Sequence, residues 1–371
     1  MASNPRGVGI IGLTPGRSWA AVAHLPALSE LTKDFKVAGV ANSSRESAEK
    51  AAAASGGLRA FASTDELVKS PDVDVVAVTV KVPHHKAMVT AAAAAGKHVF
   101  CEWPLGNGLA EARELASLMR AKKLLGVAGI QAWGSPVIRY VRDLIAEGYV
   151  GDVISISVLS DSFAWGGGDI PQHSAYLMDR NNGATLNTIM VGHQLSGITR
   201  IFGPLAQVNA TMATRRPTVR VLDTGAEIPV TAADQVLVQG TFEKSGAPIS
   251  LHCRGGLSRG TGLLWEITGT KGDLQITGGN AAIQLSDMTL KGARGEDRTL
   301  APLPVPAKYG ARAGDNPVAA NVRHLYEWMA ADLTNGTHTA PTFDDAVELH
   351  QIMDAIEQSA GRGVRVRPSD L

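Results

Sequence analysis

The chain has 371 residues, enough for two domains or one large domain with a sizeable core. Its 35 basic and 35 acidic residues balance, and no long run of like charge occurs, which argues against nucleic acid or an acidic membrane surface as a partner. The two cysteines, Cys101 and Cys253, lack metal-ligand spacing, so no metal is expected and a reduced, cytoplasmic setting is the simplest expectation.

Met1–Gly7 has no basic segment leading into an apolar core, and no apolar run approaches the roughly 18 residues that span a bilayer. Val8–Trp19 (VGIIGLTPGRSW) opens the fold as an apolar run entering Gly12, with a helical pattern from about Ala20. That is the layout of a first strand turning into a nucleotide-binding helix, where only glycine passes the turn cheaply. Thr14 stands where a second glycine is usual, and Pro15 and Trp19 are bulky, so nucleotide loop and ordinary βα turn both remain open. Ala20–Leu31 continues as a helix in which Pro26 marks a kink or irregular turn. Phe35–Val40 is the next strand, followed by Asn42-Ser43-Ser44-Arg45 and an alanine-rich helix to about Ser55. After a short helix at Asp65–Lys69, the β-branched Val73–Val80 reads as a central parallel strand buried on both faces. A helix from Pro83 to Ala95, a strand at His98–Glu102, a helix capped by Asn107 and a strand at Leu124–Ile130, counted as the sixth, complete the alternation. Such alternation predicts a doubly wound parallel sheet.

Beyond the helix Pro136–Glu147 the period changes to two. Strands are expected near Val153–Val158, Gln207–Ala213, Gln235–Phe242, Ile249–Cys253, Leu263–Thr268, Leu274–Thr277 and Ala281–Leu285, forming a mostly antiparallel sheet open on one face. A helix at Met190–Phe202 interrupts them, Gly292–Gly314 reads as loop, and helices at Pro317–Leu333 and Phe343–Ser359 close the chain.

Ala95–Leu105 (AGKHVFCEWPL) resembles the AGKHVxxEKPL signature of the Gfo/Idh/MocA oxidoreductase family. Gly148–Val153 is similar to that family's G-x-I-G-x-I hinge, and Ile267–Gly272 to its I-x-G-T-x-G hairpin. Lys81-Val82-Pro83-His84-His85, Glu102-Trp103-Pro104 and Ser18-Trp19-Ala20-Ala21 resemble the Gal80-like branch. The resemblance implies an α/β fold: a dinucleotide-binding Rossmann domain over residues 1–130, and a substrate and oligomerisation α/β domain over 131–371 on a large open, mostly antiparallel sheet. The last helix is expected to pack back toward the first domain.

It also implies chemistry: hydride transfer between a nicotinamide cofactor and a sugar, cyclitol or related carbonyl/alcohol pair. The alternative is a dinucleotide-binding regulator without turnover, as in the best-known fungal members of the branch. Trp103 stands where family enzymes carry a proton-donating lysine, and indole has no titrating proton to offer. Ile189, four residues before His193, and Ser196 after it replace two further acid/base positions, leaving His193 as the catalytic candidate. Lys81, ending a buried strand, is a substitute proton donor, a cofactor ribose contact or a solvated residue.

Gly12, Leu13, Thr14 and Trp19 are expected near the pyrophosphate or nicotinamide, with Trp19 either stacking on a ring or packing in the core. Glu102 and Trp103 fall at the nicotinamide ribose, and His85 supports the same loop or packs at a helix start. Asn42, Ser43, Ser44 and Arg45 occupy the place of the acidic residue that binds ribose hydroxyls in NAD enzymes. Without that carboxylate, NADP(H) is favoured, and Asn42 leaves NAD(H) open. Gln131, Trp133, Trp165, Tyr176 and His193 suit a sugar-like or polyol substrate, and the glycine-rich Trp165–Asp169 is a mobile loop or a tight turn. The open sheet predicts a homodimer or homotetramer.

Overall fold

The computed structural model describes residues 4–371 except 257, 258, 311 and 313, so the expectations for Met1–Gly7 and for Gly292–Gly314 fall partly outside the described residues. Two compact units form, one from the chain up to Gly134 with Val318–Glu348, the other from Ser135–Pro317 with Leu349–Leu371.

In the first unit β1 (Arg6–Ile11) leads into a π-helical turn, Ala20–His24, that continues as α1 (Leu25–Ser29). Pro26 sits in the first turn of α1, where its missing N–H costs little. There follow β2 (Phe35–Ala41), α2 (Arg45–Ala54), α3 (Thr64–Lys69), β3 (Val75–Val78), α4 (His85–Ala94), β4 (His98–Glu102), α5 (Leu109–Ala121) and β5 (Gly126–Gly129). The strands pair in parallel in the order β2-β1-β3-β4-β5. The strand counted as sixth is therefore the fifth. Every residue of β3 is buried, as a strand covered on both faces requires. The order in which successive strands are added reverses between β1 and β3, and in open α/β sheets the crevice at such a switch point receives ligands. The expected cap of α5 shifts by one residue. Gly108, with φ 95°, occupies that position, while the Asn107 N–H donates to Glu111 Oε2 at 2.9 Å.

The second unit opens with α6 (Pro136–Ala146), β6 (Val153–Ser162), α7 (Gly192–Phe202) and β7 (Leu205–Ala213), then a small ribbon of β8 (Thr218–Arg220) and β9 (Glu227–Pro229). β10 (Gln235–Phe242), β11 (Pro248–Gly255), β12 (Leu263–Gly269), β13 (Gly272–Gly278), β14 (Met288–Arg294) and β15 (Ala301–Pro302) complete it. The large sheet runs β15-β14-β13-β12-β6-β11-β10-β7, antiparallel except for the β6–β11 pair. Its inward residues include Ile156, Val158, Leu251, Trp265, Ile267 and Ile276, all buried.

Three local expectations are corrected here. Ala281–Leu285 turns instead of extending, because Asn280 Oδ1 accepts the Ala282 N–H at 2.8 Å and curls the chain. The stretch from Gly292 is not all loop: β14 runs through Arg294, with Gly292 opposite Leu274, and a Cβ on Gly292 would lie 2.7 Å from the Tyr149 hydroxyl. The helix expected from Met190 starts earlier, as a π-helical turn at Leu186–Val191, capped reciprocally by Thr185 and Thr188.

Two long helices end the chain, α8 (Pro317–Asn335) and α9 (Phe343–Arg362). From α8, Val322, Leu325, Tyr326 and Met329 join Val8, Ile10, Leu28, Phe35 and Phe100 in one buried cluster of the first unit. Chain separated by nearly two hundred residues thus completes the core under β1.

Candidate dinucleotide site

At the carboxyl end of β1 the chain turns at Gly12, with φ 104°. A Cβ there would stand 2.8 Å from Val80 Cγ1 and 3.1 Å from the Thr79 carbonyl oxygen. The crowding has a cause: Thr79, just past β3, donates to the Ile11 oxygen from both its N–H (3.0 Å) and its hydroxyl (2.8 Å). Glycine is required here by conformation and by space together. The loop beyond is tied down from within. Gly12 N–H donates to the Ala41 oxygen, Leu13 N–H to Asn42 Oδ1 and Thr14 N–H to Ser18 Oγ, while Arg17 and Ser18 donate back to the Thr14 oxygen. Helix-type bonding begins with Ala21 and Val22 donating to the Ser18 oxygen, so the N–H groups of Trp19 and Ala20 lie in the first turn ahead of that bonding. Trp19 is half-buried against the core, and its indole N–H is buried without a hydrogen-bond partner among the described residues. The bare cradle at Gly12 and this orphaned donor both fit a dinucleotide held at the switch point.

Sequence-selected neighbours divide by what their side chains already do. Leu13 is in the core. Asn42 accepts from Leu13 N–H at 2.9 Å and donates to the Leu13 oxygen at 2.9 Å and to Ser47, so its amide staples the β1 loop to the end of β2. Ser44 caps α2 by accepting from Ser47 N–H, and Ser43 and Thr14 are exposed. Arg45, first residue of α2, pairs with Glu49 at 2.8 Å on an exposed face. Lys81 is exposed at the start of the turn Val82–His84, three residues beyond β3.

His85 is buried, its Nδ1 2.9 Å from the Pro104 oxygen and its Nε2 2.9 Å from the Val80 oxygen. Burial lowers its pKa, against the pull of both carbonyls. The ring bridges the end of β3 to the segment after β4 and faces protein on both edges. Trp103, in that segment, is buried at 5% exposure.

The carboxylate of Glu102 is gripped from two sides. His24 Nε2 lies 2.8 Å from Oε1, and Gln131 Nε2 donates to Oε2 at 2.6 Å. Behind His24, Nδ1 is 2.9 Å from the Tyr326 hydroxyl. Gln131 is therefore committed to Glu102, and Trp133 beside it is half-buried.

In the second unit, α7 is anchored by Gln194, which donates to Ser160 Oγ on β6 at 3.0 Å and accepts from Trp265 Nε1 on β12 at 3.3 Å. The residue before it, His193, is 5% exposed, and its Nδ1 has no hydrogen-bond partner among the described residues. Burial pushes its pKa down to about 3, so the ring is neutral throughout the physiological range. Trp165 is buried with its indole N–H donating to the Ala184 oxygen at 3.3 Å. Gly166 has φ 70°, and a Cβ on it would lie 2.7 Å from the Asp234 Cβ, so the glycine-rich stretch is packed at Gly166, while Gly168 and Asp169 are exposed. Tyr176 is half-buried, and burial raises its phenol pKa.

A family model described as "Oxidoreductase family, NAD-binding Rossmann fold" (Gfo/Idh/MocA) matches residues 6–129, and one described as "Gal80p, C-terminal domain" matches 136–278. The galactose/lactose metabolism regulatory protein GAL80 of Kluyveromyces lactis is 31% identical over 310 residues, covering 78% of this chain and 67% of that protein. The chain belongs to the Gfo/Idh/MocA family, in its Gal80-like branch. Dehydrogenase aclE of Aspergillus oryzae is 28% identical over 368 residues, 96% of each chain. In fold, levoglucosan dehydrogenase in complex with NADH and levoglucosan superposes with a TM-score of 0.84 at 21% identity, over 98% of this chain and 99% of that one. Members similar to this chain thus include both a regulator and dehydrogenases.

In the first unit Gly12, Asn42–Arg45, Lys81 and Glu102 follow or end the strands β1, β2, β3 and β4, and His85 opens α4 after β3. His24 and Tyr326 were not foreseen as site residues. His24 lies among Ala20, Ala23, Ala27 and Leu28 on an apolar helix face, and its partner is 302 residues away. A histidine on an otherwise apolar stripe is the signal that was available.

Proposed function

We propose that the protein binds a nicotinamide dinucleotide across the ends of β1 and β3 and acts as an oxidoreductase on an alcohol group of a sugar-, cyclitol- or polyol-like substrate. Gly12 carries this reading, because its positive φ and its approach to Val80 build the cradle that a bound pyrophosphate needs. When bound, the dinucleotide supplies a hydride-accepting ring. The chain's own contributions are a helix N-terminus for the anion, the Glu102 carboxylate as acceptor for hydroxyls, and His193 as the group for the proton. His193 rests neutral, the state that takes a proton from an alcohol, whereas carbonyl reduction would need an imidazolium. Oxidation is therefore the direction its protonation state suits.

One pair of observations favours the second reading, a dinucleotide-binding regulator without turnover. Trp103 fills the lysine position as a buried indole, and a histidine with a pKa of about 3 is a weak base. Nicotinamide absorbance during a screen of sugars and inositols with NAD⁺ and NADP⁺ separates the two. Reduction of either dinucleotide supports the enzyme; tight NADH or NADPH binding with no turnover on any substrate supports the regulator.

For cofactor choice, we assign Arg45 to a 2′-phosphate, for which it would have to leave Glu49. Arg45→Ala is expected to weaken NADPH about tenfold and NADH little, and Glu49→Ala to tighten NADPH; equal effects of Arg45→Ala on both dinucleotides would refute the contact. Self-association through the open sheet face, in cytoplasm, completes the proposal. Leu237, His252, Leu159 and Leu264 stand side by side across β10, β11, β6 and β12 in a row suited to an isologous contact.

A further inference from the structure

Four side chains of the first unit form an unbroken buried chain: Tyr326 hydroxyl to His24 Nδ1 at 2.9 Å, His24 Nε2 to Glu102 Oε1 at 2.8 Å, and Gln131 Nε2 to Glu102 Oε2 at 2.6 Å. Tyr326 and His24 are fully buried and Gln131 nearly so, while the Glu102 side chain keeps 13% exposure. Of these four side chains, Glu102 is the one open enough to meet a ligand.

The direction of the chain follows from where hydrogens can go. A carboxylate only accepts, so His24 donates from Nε2. If Nδ1 also carried a proton, the Tyr326 hydroxyl would have to accept it and send its own hydrogen elsewhere. With the phenol donating to Nδ1, each hydrogen finds a partner, and the ring is the neutral Nε2–H tautomer. Burial, and then the neighbouring Glu102, raise the Tyr326 pKa well above its ordinary value, which keeps that phenol a donor. The rings are also fixed in orientation. His24 meets Phe100 edge-on with centroids 5.0 Å apart, and Phe100 stacks on Tyr326 at 4.7 Å.

We propose that His24 and Tyr326 are positioning residues for the dinucleotide: through the Nε2–H tautomer they hold the Glu102 carboxylate in one rotamer as acceptor for a ribose diol, and they link occupancy of that carboxylate to the docking of α8. This rests on the dinucleotide reading above. The chain does not conduct protons to solvent, since its far end is a phenol with no exposure. Its work is orientation. Space supports a single setting, because a Cβ on Gly129 would fall 2.7 Å from Glu102 Oε2, so the carboxylate already fills the room beside β5.

Tyr326→Phe removes one hydroxyl and preserves the packed ring, so it tests the idea without a large change of shape. The probe is NADH, followed by nicotinamide fluorescence, with nitrogen-15 histidine spectra reporting tautomers and hydrogen exchange reporting α8. The wild-type protein should bind NADH, show His24 as the Nε2–H tautomer, and gain protection in α8 on binding. Tyr326→Phe should bind roughly tenfold more weakly, shift the His24 Nδ1 resonance as its hydrogen-bond donor is lost, and lose the ligand-dependent protection. Unchanged NADH affinity in Tyr326→Phe, even with a lowered melting temperature, overturns the positioning role and leaves dinucleotide binding standing. Failure of the wild-type protein to bind either NADH or NADPH overturns the dinucleotide reading itself. His24→Gln, which retains a donor toward Glu102, should fall between wild type and His24→Ala in affinity; equal loss in both variants also counts against the proposal.

Discussion

Gly12→Ala is expected to abolish dinucleotide binding in practice, with NADH affinity falling about 100-fold or more and stability by about 2–4 kcal/mol. Two costs add. An alanine held at φ 104° pays for a left-handed conformation, on the order of 1–2 kcal/mol. Its methyl also meets Val80 Cγ1 at 2.8 Å and the Thr79 oxygen at 3.1 Å, and neither can retreat freely because Thr79 is bonded twice to Ile11. Relief requires the loop to move off β3, which closes the crevice where the anion would lie. Gly16→Ala is the matched control. Gly16 also has positive φ, at 71°, but nothing among the described residues lies within 4 Å of its would-be Cβ. It should cost about 1 kcal/mol and leave affinity within a few-fold. Fluorescence titration with NADH and thermal melts of both variants check this; wild-type affinity in Gly12→Ala would mean that the ligand does not use this turn.

The first half of the molecule was legible because its signals are local. An apolar run into Gly12 and the all-apolar Val75–Val78 each declare an element within a few residues. Signals that depend on partners far along the chain were not legible. Asn42 resembles a ligand-facing residue until its amide is seen to hold Leu13 and Ser47. Gln131 suits a sugar hydroxyl until it is found on Glu102. His24 has no motif at all, since its role is conferred by Tyr326 and Glu102 from other elements. In the second unit, alternation located most strands, but it failed where glycine or a side-chain-capped turn interrupts the pattern. Gly292 hides β14, and Asn280 turns an apolar run that would otherwise extend. The π-helical turn at Leu186–Val191 is likewise invisible to a period of 3.6. That matters for His193, because counting four residues back assumes an α-helical register that this segment does not have.

His193 is expected to make the protein acid-labile in a way that a single substitution removes. Its folded pKa, about 3, lies below the ordinary histidine value near 6.5, because burial disfavours the imidazolium. Between those limits the unfolded chain carries a proton at this position and the folded chain does not. Stability from this group is thus complete above about pH 6.5 and is lost as pH falls, at up to about 1.4 kcal/mol per pH unit. Burial lowers the pKa of His85, His98 and His252 as well, so several histidines tilt the curve the same way. His193→Gln isolates one of them: between about pH 7 and pH 4.5 the wild type should lose about 2–3 kcal/mol more than the variant. Urea unfolding at the two pH values measures the difference, and parallel curves would show that His193 is not held neutral by the fold. The same state bears on catalysis. If the protein oxidises an alcohol, a base that rests unprotonated gives a rate with no His193 inflection between about pH 5 and pH 8. A rate that falls with an apparent pKa near 6.5 would show that bound substrate supplies the missing partner of Nδ1, restoring the basicity that burial removes.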